Sequence, residues 1–293
     1  MNRPRLILLV GIPGSGKTTY AKNFIPDYPK EITHLSSDSI RAELYGDESI
    51  QGDPAEVFSL MQKRAVEALN NGDDVIYDAT NVTRKDRASI INICPKFVKI
   101  EAHIIWAPIY DCIIQDLLRN RTVGKEVIER MLKKFQAPYY DEGINEIKII
   151  TLEDLDRSSY ARFYFERMNI PHNNPNHTLN IQDHCEEARR YIEIHYSGEK
   201  SELAKVAWLH DIGKPYVKAF VDSKGNPSEE AHYYQHQCVG AWMFYGIPGA
   251  TPYGAWLIST HMDPFLNTKY YRNLPPYLKR DIDILHKADL EAH

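Results

Sequence analysis

Cysteine is scarce. The 293 residues hold four, Cys94, Cys112, Cys185 and Cys238. They lie far apart and never in C-x-x-C spacing, which excludes a disulfide framework and a thiolate zinc site. It fits a reducing compartment, with the cytoplasm as the expected location. Long apolar runs are missing too, so no membrane span is expected. The N-terminal run Leu6–Val10 is too short for a signal peptide. There is no basic excess: 35 Lys and Arg face 40 Asp and Glu, a net charge of −5. No global positive field attracts nucleic acid, and such a substrate would need a local groove of Lys and Arg. Internal repeats and low-complexity tracts are absent. What remains is a chain that is 43% hydrophobic, with the core-forming content and the length for two domains.

The first half is organised around Gly11-Ile12-Pro13-Gly14-Ser15-Gly16-Lys17-Thr18-Thr19, a match to G-x-x-x-x-G-K-[ST]. The apolar run Leu6–Val10 before it reads as a buried parallel strand, and an amphipathic helix is predicted from Lys17. In that context Gly11, Gly14, Ser15, Gly16, Lys17, Thr18 and Thr19 would bind a nucleotide. The glycines let backbone N–H groups curl around phosphate oxygens, and the helix N-terminus adds its dipole. Lys17 would reach the β- and γ-phosphates of ATP or another NTP, and Thr18 would place its hydroxyl on Mg²⁺.

A second strand, Ile32–Leu35, runs into Ser36-Ser37-Asp38-Ser39-Ile40-Arg41. Asp38 and Arg41 share a helix face, at the carboxyl end of a strand where doubly wound sheets bind substrate. A kinase acting on an alcohol needs a base there. Taken alone, the plainer reading makes Asp38 a helix N-cap and leaves Arg41 in water. A helix is predicted over Pro54–Asn70, then a strand Val75–Asp78 ending in an acid. Asp78 could organise Mg²⁺ as a Walker B acid does, or cap the next helix, Thr83–Ile93. After a strand over Val98–Trp106 and a helix over Asp111–Leu118 comes Arg119-Asn120-Arg121-Thr122-Val123-Gly124-Lys125. A further helix is expected from near Glu126 through Phe135. The basic loop reads as a lid whose Arg and Lys side chains close over the γ-phosphate, with Arg119 and Arg121 as candidates and no assignment of which meets which phosphate; the alternative is a basic corner in water. With a last strand at Ile147–Thr151, strands and helices alternate over residues 1–152. That predicts an α/β kinase domain, a parallel sheet with helices on both faces and a lid.

Gly11–Thr19 followed by Asp38-Ser39-Ile40-Arg41 resembles the kinase module of phage polynucleotide 5′-kinases, and the strand that ends in Asp78-Ala79-Thr80-Asn81 adds to the likeness. The resemblance implies that Asp38 is the general base and that Arg41 grips the phosphate on the 3′ side of the acceptor nucleotide. Those enzymes commonly carry a phosphatase built on D-x-D-G-T. Here Asp154-Leu155-Asp156-Arg157-Ser158 lacks the glycine and threonine, and it reads as a charged interdomain linker.

The second half holds ten of the twelve histidines, several inside apolar helical stretches. Neutral imidazoles with carboxylates suit divalent transition metals, and an adjacent His-Asp can serve a metal pair. The series His184, His210-Asp211-x-Gly213-Lys214, His236, His261 and Asp289 resembles the HD phosphohydrolase superfamily, all-helical metal-dependent enzymes that cleave phosphoesters. The resemblance implies an all-α domain over residues 160–293 and six ligands, His184, His210, Asp211, His236, His261 and Asp289. They would hold two ions of Mn, Fe, Ni, Co or Zn, and Lys214 would touch the substrate phosphate. His177 and His232 are left over, with His232 expected one helical turn before His236. Only four residues follow Asp289, so the last helix is expected to be short or cut there.

Together the halves imply healing of broken nucleic acid. The first would phosphorylate a 5′-OH, and the second would remove a 3′-phosphate or 2′,3′-cyclic phosphate. RNA or DNA ends and an NTP are the expected partners, with a separate ligase to join the ends. Two alternatives stand beside this. One is a small-molecule or tRNA-nucleoside kinase fused to a nucleotide phosphohydrolase. The other is a nucleotide switch regulating the HD domain, against which Asp38 argues, since a switch needs no alcohol base.

Overall fold

The computed structural model describes residues 3–119, 121–151, 155–175, 178–196 and 201–292. The chain divides into two compact units. One comprises Met1–Met131 and Pro138–Glu153, the other Leu132–Ala137 and Asp154–His293. No helix among the described residues is long and apolar enough to cross a membrane.

The first unit alternates strand and helix: β1 (Arg5–Val10), α1 (Lys17–Phe24), β2 (Ile32–Ser36), α2 (Ser37–Tyr45), α3 (Pro54–Asn71), β3 (Asp74–Asp78), α4 (Arg84–Ile91), β4 (Lys99–Trp106), α5 (Ile109–Leu117), α6 (Lys125–Leu132) and β5 (Glu146–Thr151). The sheet is wholly parallel, in the order β2-β3-β1-β4-β5. Leu6 to Val10 are fully buried, as a central strand with both faces covered requires. Chain order reverses at β1, which puts the ligand crevice at the carboxyl ends near that strand. Helix ends follow local chemistry. Asp53 caps α3 by accepting from Ala55 N at 2.9 Å, with Pro54 in the first turn. Thr83 and Asp86 close a capping box on α4.

The second unit holds α7 (Arg157–Met168), α8 (Ile181–His195), α9 (Ser201–Leu209), α10 (Lys214–Val217), β6 (Ala219–Val221), β7 (Pro227–His232), α11 (His236–Phe244), α12 (Pro252–Thr260), α13 (Asp263–Leu266), α14 (Lys269–Asn273) and α15 (Pro276–Glu291). α8 packs on α9 and α15, while α12 packs on α11 and α9. Trp242 and Trp256 lie fully buried in this core.

Five expectations need correction. The second unit is not all-helical, because β6 and β7 form an antiparallel hairpin. Asp222 closes its turn by accepting from Lys224 N and Asn226 N at 2.8 Å each, with Gly225 at φ 85°. His232 therefore ends a strand and does not sit one helical turn before His236. The expected linker is the start of a helix: Asp156 caps α7, and Arg157 donates to the α11-terminal carbonyls of Tyr245 at 2.8 Å and Ile247 at 2.6 Å. Asp154 lies outside the described residues. The helix from Glu126 stops at Leu132, and Phe135 packs edge-on against Trp242 at 5.2 Å within the second unit. The last helix, α15, is not short, at 16 residues.

Candidate active site

Two groups of polar side chains stand out, one in each unit. In the first, the loop between β1 and α1 is shaped by glycines in the left-handed region, Gly14 at φ 79° and Gly16 at φ 93°. A Cβ on Gly14 would lie 2.0 Å from the Cys112 carbonyl oxygen, so the loop passes α5 too closely for any side chain. Gly11 N donates to Thr80 O at 3.0 Å, tying the loop to the end of β3. The Ser15 hydroxyl is buried without a hydrogen-bond partner, a donor poised for an incoming acceptor. Lys17 Nζ donates to Gly11 O and Ile12 O, both at 2.9 Å. Burial pushes its ammonium down to about 8, against the pull of Asp78.

β3 delivers Asp78 beside Leu9 of β1 and Ser36 of β2 in register. Its Oδ2 accepts from Thr18 Oγ1 at 3.0 Å and lies 3.3 Å from His34 Nε2. Because α4 is capped by Thr83, Asp78 is not that helix's cap. His34 escaped the sequence reading; its one signal is its place two residues before the end of β2. Asn81, at φ 47°, donates to Leu9 O at 2.8 Å and holds the β3 and β1 ends together.

Asp38 is not an N-cap either. Ser36 caps α2 by accepting from Asp38 N at 3.3 Å, which leaves the Asp38 carboxylate 47% exposed. Two guanidiniums meet its Oδ1: Arg41 Nη1, one turn along the helix, and Arg121 Nη1 at 3.4 Å. Arg121 also donates to Glu48 O, and its Nη2 reaches Gln51 Oε1 at 3.5 Å. The two arginines of the basic loop go different ways: the charge of Arg119 is felt at Lys17, whereas Arg121 sits at Asp38. Buried Asp116 sets this bend, accepting from Val123 N at 3.0 Å and Gly124 N at 2.9 Å.

The second unit gathers the six expected imidazole and carboxylate residues. His184, His210, Asp211 and Asp289 form one cluster and Asp211, His236 and His261 another, each with ligand atoms within 4.8 Å of one another. Each of the four rings turns Nδ1 to a backbone carbonyl: His184 to Ala292 at 2.7 Å, His210 to Ala207 at 2.7 Å, His236 to Tyr233 at 2.9 Å and His261 to Ile258 at 2.7 Å. Those bonds put a proton on Nδ1 and turn Nε2, the atom left for a ligand, inward. His184 Nε2 and His210 Nε2 lie 2.9 and 3.2 Å from Asp289 Oδ1, and His236 Nε2 lies 3.1 Å from Asp211 Oδ1. Nε2 of His236 and Nε2 of His261 are only 3.0 Å apart. Nε2 atoms so close to each other and to two acids could hold a cation between them, and the donor set suits a divalent transition metal. Burial, with His236 and His210 nearby, pushes His261 down to about 3, which keeps that ring neutral. Asp211 and Asp289 stay well below the carboxylate range although burial opposes it, chiefly through His210 for Asp211 and His184 for Asp289.

Gly213 makes this geometry possible, since a Cβ there would lie 2.2 Å from His236 O and 2.6 Å from Gly240 N. Lys214 is not turned to open space. It is buried, with Nζ 2.6 Å from Asp211 Oδ2 and 3.3 Å from His172 Nε2. His172 was missed because it lies in an aperiodic Pro-His-Asn loop. Its Nδ1 is 2.8 Å from Leu179 O, and burial and Lys214 push it down to about 4. His232 stands apart, bonded to Ser228 Oγ at 3.1 Å and stacked on Tyr234. His177 lies outside the described residues.

A family profile described as an AAA domain matches residues 6–138. The L-seryl-tRNA(Sec) kinase of Methanococcus maripaludis is 30% identical over 188 residues, 61% of this chain and 69% of that protein. The chain belongs to the same P-loop kinase family. Transcription factor bHLH140 of Arabidopsis thaliana is 23% identical to this kinase over 166 residues, 54% of the chain, which spans only 17% of that protein. A solved chain described as "Structure of the Pnkp1/Rnl/Hen1 RNA repair complex" is 22% identical, with a TM-score of 0.42; the match covers 46% of this kinase and 44% of that chain. P-loop kinases use an NTP with Mg²⁺. The matched profile spans the loop, Asp38, Asp78 and Arg121, and ends before the imidazole cluster of the second unit.

Proposed function

We propose that this kinase heals nucleic-acid ends, with a P-loop domain over residues 1–152 and an HD-type domain over 160–293. The first transfers the γ-phosphoryl group of ATP or another NTP to the 5′-OH of RNA or DNA. Backbone N–H groups of Gly11–Thr19 and the Ser15 hydroxyl cradle the phosphates, and Lys17 leaves its two carbonyl partners to meet the β- and γ-oxygens. Thr18 and Asp78, already hydrogen-bonded, hold Mg²⁺. Asp38 takes the proton of the acceptor hydroxyl as the oxygen bonds to phosphorus and the bond to the departing nucleoside diphosphate breaks. Arg119 stabilises charge on the transferred group. Arg41 and Arg121 bind a phosphate of the acceptor.

The observation that carries this reading is the pair of guanidiniums on the exposed Asp38 carboxylate. A neutral alcohol beside a base needs no second cation, whereas an acceptor carrying its own phosphate does. A second reading, an acceptor hydroxyl on aminoacyl-tRNA or a tRNA nucleoside, is favoured by the 30% identical relative.

For the second unit we propose metal-dependent hydrolysis of a 3′-phosphate or a 2′,3′-cyclic phosphate. Two divalent ions held by His184, His210, Asp211, His236, His261 and Asp289 would act as Lewis acids toward the ester. The carbonyl-bound Nδ1 atoms keep the four Nε2 donors aimed inward. Lys214 steadies the Asp211 carboxylate, and through it the charge facing a phosphate. A separate ligase would then join the healed ends.

Label transfer from γ-labelled ATP to a 5′-OH oligonucleotide tests the first half. Asp38→Ala is expected to slow transfer by about 10²- to 10⁴-fold with nucleotide binding kept. Transfer only to small or tRNA-borne acceptors would favour the second reading, and nucleotide binding without any transfer would refute both. For the second half, Asp211→Asn is expected to abolish phosphate release from a 3′-phosphate end.

A further inference from the structure

The polar face of α15 carries a feature that neither phosphate centre uses. Pro276, Lys279, Arg280, Asp283, Ile284 and Lys287 recur at helical spacing, so they form one stripe along the helix. With Tyr196 from the end of α8 they line a groove of about 520 Å³. Ile284, 6% exposed, forms part of its floor. Three cations share this groove with a single carboxylate, Asp283, which already accepts from Tyr271 OH.

The contrast with α8 is informative. There, Arg189 and Arg190 are matched by Glu186, Glu187 and Glu193. Among the described residues, no carboxylate lies within 4.0 Å of the Lys279, Arg280 or Lys287 cations. Lys279 Nζ instead donates to Arg272 O at 2.8 Å and lies 5.2 Å from the centroid of the Tyr271 ring, while Lys287 pairs with the Tyr191 hydroxyl. Tyr277, one turn before Arg280, is 71% exposed. The metal-facing Asp289 projects about 200° around the helix from Lys287, so this groove is not part of that centre.

Cations without a carboxylate partner beside the exposed ring of Tyr277 match the needs of single-stranded nucleic acid, phosphates for the cations and a base face for the ring. The Lys279 to Lys287 stretch spans about 12 Å, enough to follow a backbone for a few nucleotides. With a net charge of −5, the protein has no general attraction for polyanions, so an uncompensated local stripe stands out. We propose that the α15 groove is a docking track for single-stranded nucleic acid, holding the strand through phosphates at Lys279, Arg280 and Lys287. This rests on the reading that the acceptor is a polynucleotide.

Fluorescence anisotropy of the full chain with a labelled single-stranded 5′-OH oligonucleotide, over a salt series, tests it. Three phosphate contacts at about 0.7 each predict a contribution of about −2 to the slope of log K against log salt. The Lys279→Ala, Arg280→Ala, Lys287→Ala triple variant should flatten the slope by that amount. It should also bind about 10-fold or more weakly at low salt, and transfer to a saturating dinucleotide acceptor should be unchanged. Lys279→Arg with Lys287→Arg should keep wild-type binding. An unchanged slope and affinity in the triple variant would overturn the track, as would loss of mononucleotide binding alone. Transfer measured separately keeps the two ideas apart. Normal transfer with an unaffected triple variant removes the track and spares the end-healing reading. Salt-dependent binding that the variant loses, without transfer by the wild type, does the reverse.

Discussion

If the second unit holds the metal ions proposed for it, removing them should melt that unit early while leaving the first untouched. Folding creates the site: His184 and Asp289 are 105 residues apart in sequence yet 2.9 Å apart in space. An unfolded chain therefore has no comparable cluster, and an ion bound there stabilises the folded state alone. At 100 times its dissociation constant such an ion contributes about 2.7 kcal/mol. For a unit of roughly 150 residues, each kcal/mol moves the melting midpoint by about 2–4 °C, so chelation should lower that transition by about 5–11 °C. Rebinding should release protons, because without the ion Asp211 holds the His210 ring well above the imidazole range although burial opposes it, and that ring must lose its proton to bind. Calorimetry with and without a chelator reads this directly, and a Mg²⁺–nucleotide complex should raise only the transition of the P-loop unit. His261→Gln should abolish most of the chelator's effect. Transitions that ignore the chelator, in protein whose elemental analysis shows less than one transition-metal ion per chain, would refute the metal centre.

The P-loop was legible because its chemistry is contiguous, nine residues between an apolar run and a helix. Asp38 and Asp78 were legible as acids at the ends of strands, and the parallel sheet followed from the alternation of elements. Arg121 was harder, because its destination depends on how Asp116 folds the loop back, and no local pattern records that. In the second unit the six imidazole and carboxylate residues could be named as a set only through a family resemblance, since nothing in their spacing says that they converge. The buried charges of β4 show the limit of periodicity. A strand was legible over Val98–Trp106, but its pattern does not say that its charged residues are covered. Glu101 and His103 are fully buried, on a central strand covered on both faces, and partners compensate them. The hairpin β6–β7 was missed because β6 has only three residues and the six of β7 are largely polar and exposed, which leaves almost no pattern.

Glycine substitutions in the loop should separate steric from conformational cost. Gly14→Ala meets the Cys112 carbonyl and should weaken nucleotide binding more than tenfold, while Gly16→Ala, with open space around its Cβ, should cost only the left-handed penalty of about 1–2 kcal/mol in stability. Glu142→Gln should destabilise the first unit by about 3 kcal/mol in denaturant titrations, because it weakens the two 2.7 Å bonds that neutralise fully buried Arg87. The pH dependence of stability should expose Glu101. A hydrogen bond from His103 Nε2–H, with Lys99 and Lys148 close by, holds its carboxyl well below the usual range against the opposing effect of burial. His103 can donate there while neutral, because its Nδ1 accepts from Tyr20 OH at 2.8 Å. A depressed acid stabilises the fold at every pH above its unfolded value near 4.3, and loses that contribution as pH falls toward its folded value. Glu101→Gln should therefore lower stability by a constant amount from pH 6 to 8. The gap from wild type should narrow steadily below pH 4, because acid removes in the wild type what the substitution removed at all pH values. A gap that stayed constant down to pH 2.5 would show that Glu101 acts through packing and not through its charge.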